Sequence, residues 1–412
     1  MFCLVFALSG CSGFTSKSNI TNLLSAPKLS ENESSIVAAI EDYLGDDVNL
    51  KYSQNQGYSA PIQLIDINHD RVQEALVFYY APNKGTNIRF AMLSHSDDSW
   101  SVVMDKEGLG NEVFYFDTAA LPNLKNRQIM VGYQSANIDG NFFVTYFTDT
   151  EKNIEDYAES CQHIIAGDMT GNGYDDIIIT KASHSGSISV NVLAFTDQLT
   201  FVNMGQRSLK YANIDVEQLI IKKLKSGRSA LFADYTDSYS RMHTEVYAIE
   251  NGRIVSCLAD GIVSRNWEHQ PCITSRDIDG DGYIEIATVV QPQHPDEVPS
   301  FKYLEWRDWT DKEQTRVYYG VFDIRDGIFM ALPDQWQDKV YAVALENGME
   351  IVKAEDQQTL ISLTEIDSVS QIESSAYSYP LYMGTKLWHL ECSEDMNMTQ
   401  IEYVYKSITD LN

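Results

Sequence analysis

The stretch Arg276-Asp277-Ile278-Asp279-Gly280-Asp281-Gly282-Tyr283-Ile284-Glu285 follows a short apolar run and leads into Ile286-Ala287-Thr288. Hard divalent cations take about six to eight oxygens, and a short acidic loop supplies them from alternating side chains around a tight turn. Counting Asp277 as position 1, the candidate ligands Asp277, Asp279, Asp281 and Glu285 fall at positions 1, 3, 5 and 9. Gly282 permits the bend, and the Tyr283 carbonyl is available as a fifth ligand. Position 12, where an EF-hand carries its bidentate acid, is Thr288 in a β run, so the EF-hand geometry does not fit.

The same frame occurs twice earlier in the chain. Asp66, Asn68, Asp70 and Glu74 precede Ala75-Leu76-Val77-Phe78, and Asp168, Thr170, Asn172 and Asp176 precede Ile177-Ile178-Ile179. Asp66, Asp168 and Asp277 open the three loops, 102 and 109 residues apart. Between them lie copies that have lost the acids, Asp117 to Tyr133 and Leu219 to Tyr235. The period is therefore roughly 50 residues with about four β runs per copy, the size of a propeller blade. Calcium affinity is expected to rank third loop, then first, then second. The first has Arg71 beside its ligands and no Gly after Asp70; the second has only two charged ligands.

These loops resemble the calcium loops of integrin-type FG-GAP and VCBS repeats, which close a hairpin between blade strands. The resemblance implies structural calcium and a mainly β fold. The expectation is a β-propeller of about five to seven four-stranded blades over residues 56–312, followed by a small β-rich or α+β domain over 313–412. In that last part Thr315 to Phe322, Val340 to Ala344, Met349 to Val352, Leu360 to Leu363, Leu387 to Glu391 and Glu402 to Tyr405 read as strands.

At the other end, Met1 to Leu8 is apolar and runs into Leu8-Ser9-Gly10-Cys11. An apolar run this short is a secretory h-region rather than a membrane span, which needs ~20 residues. Leu-Ser-Gly-Cys resembles the bacterial lipobox, which implies cleavage before Cys11 and lipidation of its sulfur. No Lys or Arg precedes the run, a departure from that pattern. Residues 12–55 read as a polar tether and one short amphipathic helix, with Ser30 as N-cap, Glu33 in the capping box, and Ile36, Ala39, Ile40 and Leu44 at helical spacing. Gly45 marks its stop. Lipobox, helix, repeats and C-terminal domain follow in the order found in uncharacterised lipoproteins of anaerobic Gram-positive bacteria, a family that implies location and fold rather than an activity.

Composition narrows the function classes. Of 412 residues, 30 are Lys or Arg and 59 Asp or Glu, a net charge of −29 that argues against nucleic acid as partner. No zinc, nucleotide or serine-hydrolase motif is present, and none of the eight histidines forms a close pair. Cys257 and Cys272 could pair or remain buried thiols. Trp306 and Trp309 fit a blade core better than a sugar-stacking platform. The expected protein is a monomer on the extracytoplasmic face of the membrane, held there by its lipid alone, that binds a protein or glycan. A propeller glycoside hydrolase or lyase, or a structural envelope assembly factor, are the alternatives.

Overall fold

The computed structural model describes residues 31–411 apart from 46–47, 54–59, 98, 136–140, 150–151, 153, 266–271, 291–299, 311–312 and 373–374. Cys11 and Ser30 lie outside the described residues, as does any structural account of the lipobox and tether.

The fold is mainly β. Among the described residues six antiparallel sheets of four or five strands succeed one another along the chain. The first spans Asn49–Lys51 to Ser99–Glu107, the second Glu112–Ala119 to Tyr157–Cys161, and the third Ile164–Gly167 to Phe201–Ala212. The fourth spans Asp215–Lys223 to Val263–Arg265, the fifth Ile286–Val290 to Ile328–Ala331, and the sixth Val340–Leu345 to Lys386–Cys392. Most strands pair with their sequence neighbours, because short turns make antiparallel hairpins the nearest partners.

The first four sheets each contain at least one strand whose side chains are buried on both faces over most of its length, such as Glu74–Tyr80, Gln128–Gln134, Asp176–Ala182 and Ser229–Thr236. That explains their continuous apolar runs, where a half-exposed strand would alternate. Covering both faces needs a neighbour on each side, and apolar clusters join every sheet to the next. Phe78 and Phe90 meet Phe116 and Tyr146; Phe143 and Phe147 meet Phe195 and Phe201. Val190 and Val192 meet Leu231 and Tyr247; Phe232 and Val246 meet Ile286 and Trp309. Val321 and Met330 pack with Ile351, Leu363 and Trp388 of the sixth sheet.

The helix α1 (Glu31–Leu44) seats Ile36 and Ile40 on Ala75, Val77 and Tyr79 of the first sheet, and Gly45 ends it at φ +91°. The expected boundary at 312/313 falls inside the fifth sheet. Phe301–Trp309 and Gln314–Asp323 pair from Phe301 opposite Asp323 to Trp309 opposite Gln314. The end of the chain also returns to this sheet, with Thr409 and Asp410 opposite Phe329 and Ile328.

One expected strand is corrected. Glu402 to Tyr405 lies in helix α2 (Met398–Ser407). Asn397 Oδ1 accepts from Gln400 N and Gln400 Oε1 accepts from Asn397 N, a reciprocal cap that nucleates the turn. Ile401 and Val404, one helical turn apart, are the buried face. The β-forming Tyr and Val content of the segment is overridden by cap and spacing.

Candidate metal centre

All three acidic loops fold on one backbone scheme. The residues at positions 4 and 6 have positive φ: His69 and Arg71 in the first loop, Gly171 and Gly173 in the second, Gly280 and Gly282 in the third. The position 1 carboxylate ties the turn by accepting from the amide at position 6, as Asp66 does from Arg71, Asp168 from Gly173 and Asp277 from Gly282. Position 5 accepts from the amide at position 7 in each case, through Asp70, Asn172 and Asp281. The acid at position 9 reaches back to the amide at position 2, Glu74 to Ile67, Asp176 to Met169 and Glu285 to Ile278.

That last acid stands at or beside the start of the strand that follows the loop, whose first residues are buried, so it is drawn into the protein. Glu74, Asp176 and Glu285 are only 4%, 2% and 0% exposed. Burial disfavours the charged form, and the loop's other acids add repulsion. Desolvation pushes the Glu74 carboxyl up, Asp176 up to about 6 and Glu285 up to about 8.

The third loop brings three carboxylates together. Asp277, Asp279 and Glu285 each offer a carboxylate oxygen, all within 4.8 Å of one another, a grouping found nowhere else among the described residues. Glu285 Oε2 accepts from Ile278 N, while the buried Oε1 has no hydrogen-bond partner. Desolvation and the charges of Asp281 and Asp277 also raise the Asp279 carboxyl. A buried carboxylate oxygen left unpaired beside two more carboxylates is what a hard cation would complete. The residues fit the ion: Asp277, Asp279 and Glu285 would hold it, with the Tyr283 carbonyl in reach by sequence. Bound there, calcium would supply charge neutralisation and a cross-link between the loop and the strand it opens.

Asp281 does not join this group. Its Oδ2 lies 3.3 Å from Lys225 Nζ, and that ammonium is 2.5 Å from Oδ2 of the buried Asp308. Lys225 and Asp308 were invisible to loop reading, because they lie on the neighbouring sheet's turn and on a later strand. In the first loop the acids spend their oxygens internally: Glu74 Oε1 accepts from Asn68 Nδ2 at 3.0 Å and Oε2 from Ile67 N at 2.9 Å. In the second, Asp176 Oδ2 accepts from both Met169 N and Thr170 N.

Other candidates resolve as packing. Trp306 and Trp309 are 0% and 7% exposed, which removes the sugar platform and leaves the core role. Cys161, Cys257, Cys272 and Cys392 are all thiols, with no disulfide between Cys257 and Cys272. His69 is an exposed turn residue. One serine–histidine–aspartate chain has no sequence signal: His243 Nδ1 is 2.9 Å from Ser264 Oγ and Nε2 is 3.1 Å from Asp237 Oδ2. His243 and Ser264 face each other across paired strands. The Asp237 charge is already taken by Arg241, through Nε at 2.8 Å and Nη2 at 2.6 Å. We read the chain as a clasp holding Val263–Arg265 on the fourth sheet.

No family model matches the chain, and a search of curated proteins finds no relative. Among solved structures, it is similar to a Bacteroides uniformis protein described as a 6-phosphogluconolactonase, at 9% identity and TM-score 0.34, over 71% of this chain and 82% of that one. It is also similar to the AfRom2 CNH domain, at 11% identity and TM-score 0.27, over 81% of this chain and 94% of that one. Likeness at this level says nothing of what the chain binds or does.

Proposed function

We propose that the chain is a lipid-anchored extracytoplasmic binding protein, of the FG-GAP/VCBS-like lipoprotein kind, that recognises a protein or glycan partner through a calcium-stapled β-propeller. The observation that carries this reading is the third loop, where three carboxylates converge and Glu285 Oε1 is buried without a partner. Its support from the fold is the succession of six similar sheets, each packed on the next, which is the arrangement blades adopt. Anchoring rests on the lipobox resemblance at Cys11. Binding rests on the fold class alone, since propellers present broad faces built from loops.

Calcium here is a staple. An ion that binds only the folded form stabilises it by ~2.7 kcal/mol at a hundredfold excess over Kd. Chelation should therefore lower Tm, and Asp279→Ala should abolish the difference between calcium and EDTA. An unchanged EDTA response in that variant would remove the site from the account. The anchor is tested by labelling cells with a fatty-acid analogue, which should mark the wild type and not Cys11→Ala. Partner capture from envelope extract should require calcium in the wild type. Capture that EDTA leaves undiminished would separate recognition from the staple.

A further inference from the structure

We propose that Lys225 is the resident counter-cation of the third loop and competes with a divalent ion for Asp281. Ion binding then hands this carboxylate from the fourth sheet to the loop. The inference rests on the calcium reading above and adds what sets the affinity of that site and what it is coupled to.

Lys225 lies in the turn from Leu224 to Arg228, between strands Asp215–Lys223 and Ser229–Thr236 of the fourth sheet. Its ammonium reaches across to the fifth sheet, 2.5 Å from Asp308 Oδ2, 3.3 Å from Asp281 Oδ2 and 5.7 Å from the centre of the Tyr283 ring. The two carboxylates it touches are unequal. Asp308 is 1% exposed on strand Phe301–Trp309, so losing its cation would strand a buried charge. Asp281 is exposed, with Oδ1 accepting from Tyr283 N, so no buried charge is stranded if its Oδ2 changes partner.

Position 5 is a ligand position of the frame, yet Asp281 stands outside the group formed by Asp277, Asp279 and Glu285. Its Oδ2 is engaged by Lys225 instead. An arriving divalent ion offers Asp281 twice the charge of the ammonium, and Lys225 retains Asp308. Lys225 therefore has opposite effects in the two states. Without the ion it neutralises acids that would repel one another; with the ion it is a like charge beside the site. Because it sits on the fourth sheet, occupancy of the loop is coupled to the contact between the fourth and fifth sheets.

The test is calorimetric titration of calcium into the chelator-stripped full chain. Lys225→Met with Asp308→Asn removes the ammonium together with its buried partner, and should tighten Kd about tenfold. Asp281→Asn should cost more affinity in that background than in the wild type, because there Asp281 has no rival partner. Lys225→Arg keeps the charge and should leave Kd near the wild-type value. Should the double variant fail to fold, Lys225→Met alone should also bind more tightly. A wild type that binds calcium while neither Lys225→Met variant binds more tightly would overturn the inference and leave the metal site standing. No binding by any form, wild type included, would overturn the metal site itself and this inference with it.

Discussion

At Glu285 a proton and a divalent ion would compete for one buried carboxylate. Burial with Asp279, Asp281 and Asp277 near it raises its carboxyl from 4.5 to about 8. In the ion-free protein the folded state then holds a proton that the unfolded state has lost across that range. Stability must fall as pH rises from about 4.5 to about 8 wherever the folded state binds more protons. We expect Tm in EDTA to decline through this window and Tm in calcium to resist the decline, because the ion takes over from the proton. Glu285→Gln should flatten the EDTA curve; thermal melts across pH decide it. The first loop makes a different residue-scale case. His69 and Arg71 occupy left-handed backbone at φ 62° and 73°, where the other two loops have Gly. Left-handed backbone costs an L residue about 1–2 kcal/mol, partly offset by the extra freedom Gly has when unfolded. Arg71→Gly should therefore stabilise by up to about 1 kcal/mol in chemical denaturation. At this scale the sequence marks Asp281 as a ligand position and is silent about Lys225, which engages its Oδ2 apart from the other three acids. Alternation at 1, 3, 5 and 9 is local, whereas Lys225 and Asp308 meet the loop only through the packing of two sheets.

Elements show where local signals suffice and where they mislead. Helix α1 was legible because Ile36 and Ile40 are one turn apart and Gly45 follows, and the structure buries both isoleucines on the first sheet. The strands buried on both faces were legible as continuous apolar runs. Helix α2 was read as a strand because Glu402 to Tyr405 contains Tyr, Val and Tyr, and the cap at Asn397 outweighs that preference. Asn397→Ala should cost about 1 kcal/mol by removing the cap. Ile401→Ala should cost about 2–5 kcal/mol by opening a cavity against the fifth and sixth sheets, both measured by denaturant titration. Equal small losses for the two would contradict this account of α2. The strand Ser378–Met383 escaped sequence reading because Pro380 argues against a central strand. It pairs only with Lys386–Cys392, at the edge of its sheet, where a missing donor is tolerated.

For the whole molecule, the 50-residue period was legible wherever an acidic loop or its apolar remnant marked it. It faded after residue 312 because the fifth sheet closes with strands from beyond that point, and the sixth sheet carries no acidic loop to mark its start. Six sheets are joined one to the next by apolar contacts, and the third loop lies beside the contact of the fourth and fifth. We propose that a divalent ion sits among Asp277, Asp279 and Glu285. Terbium, which takes calcium sites and is sensitised by a nearby tyrosine, tests it directly through Tyr283. The wild type should give tyrosine-excited terbium emission that calcium displaces, and Asp279→Asn with Glu285→Gln should give none. Emission that survives those substitutions, or a wild type that gives no emission, would contradict the account.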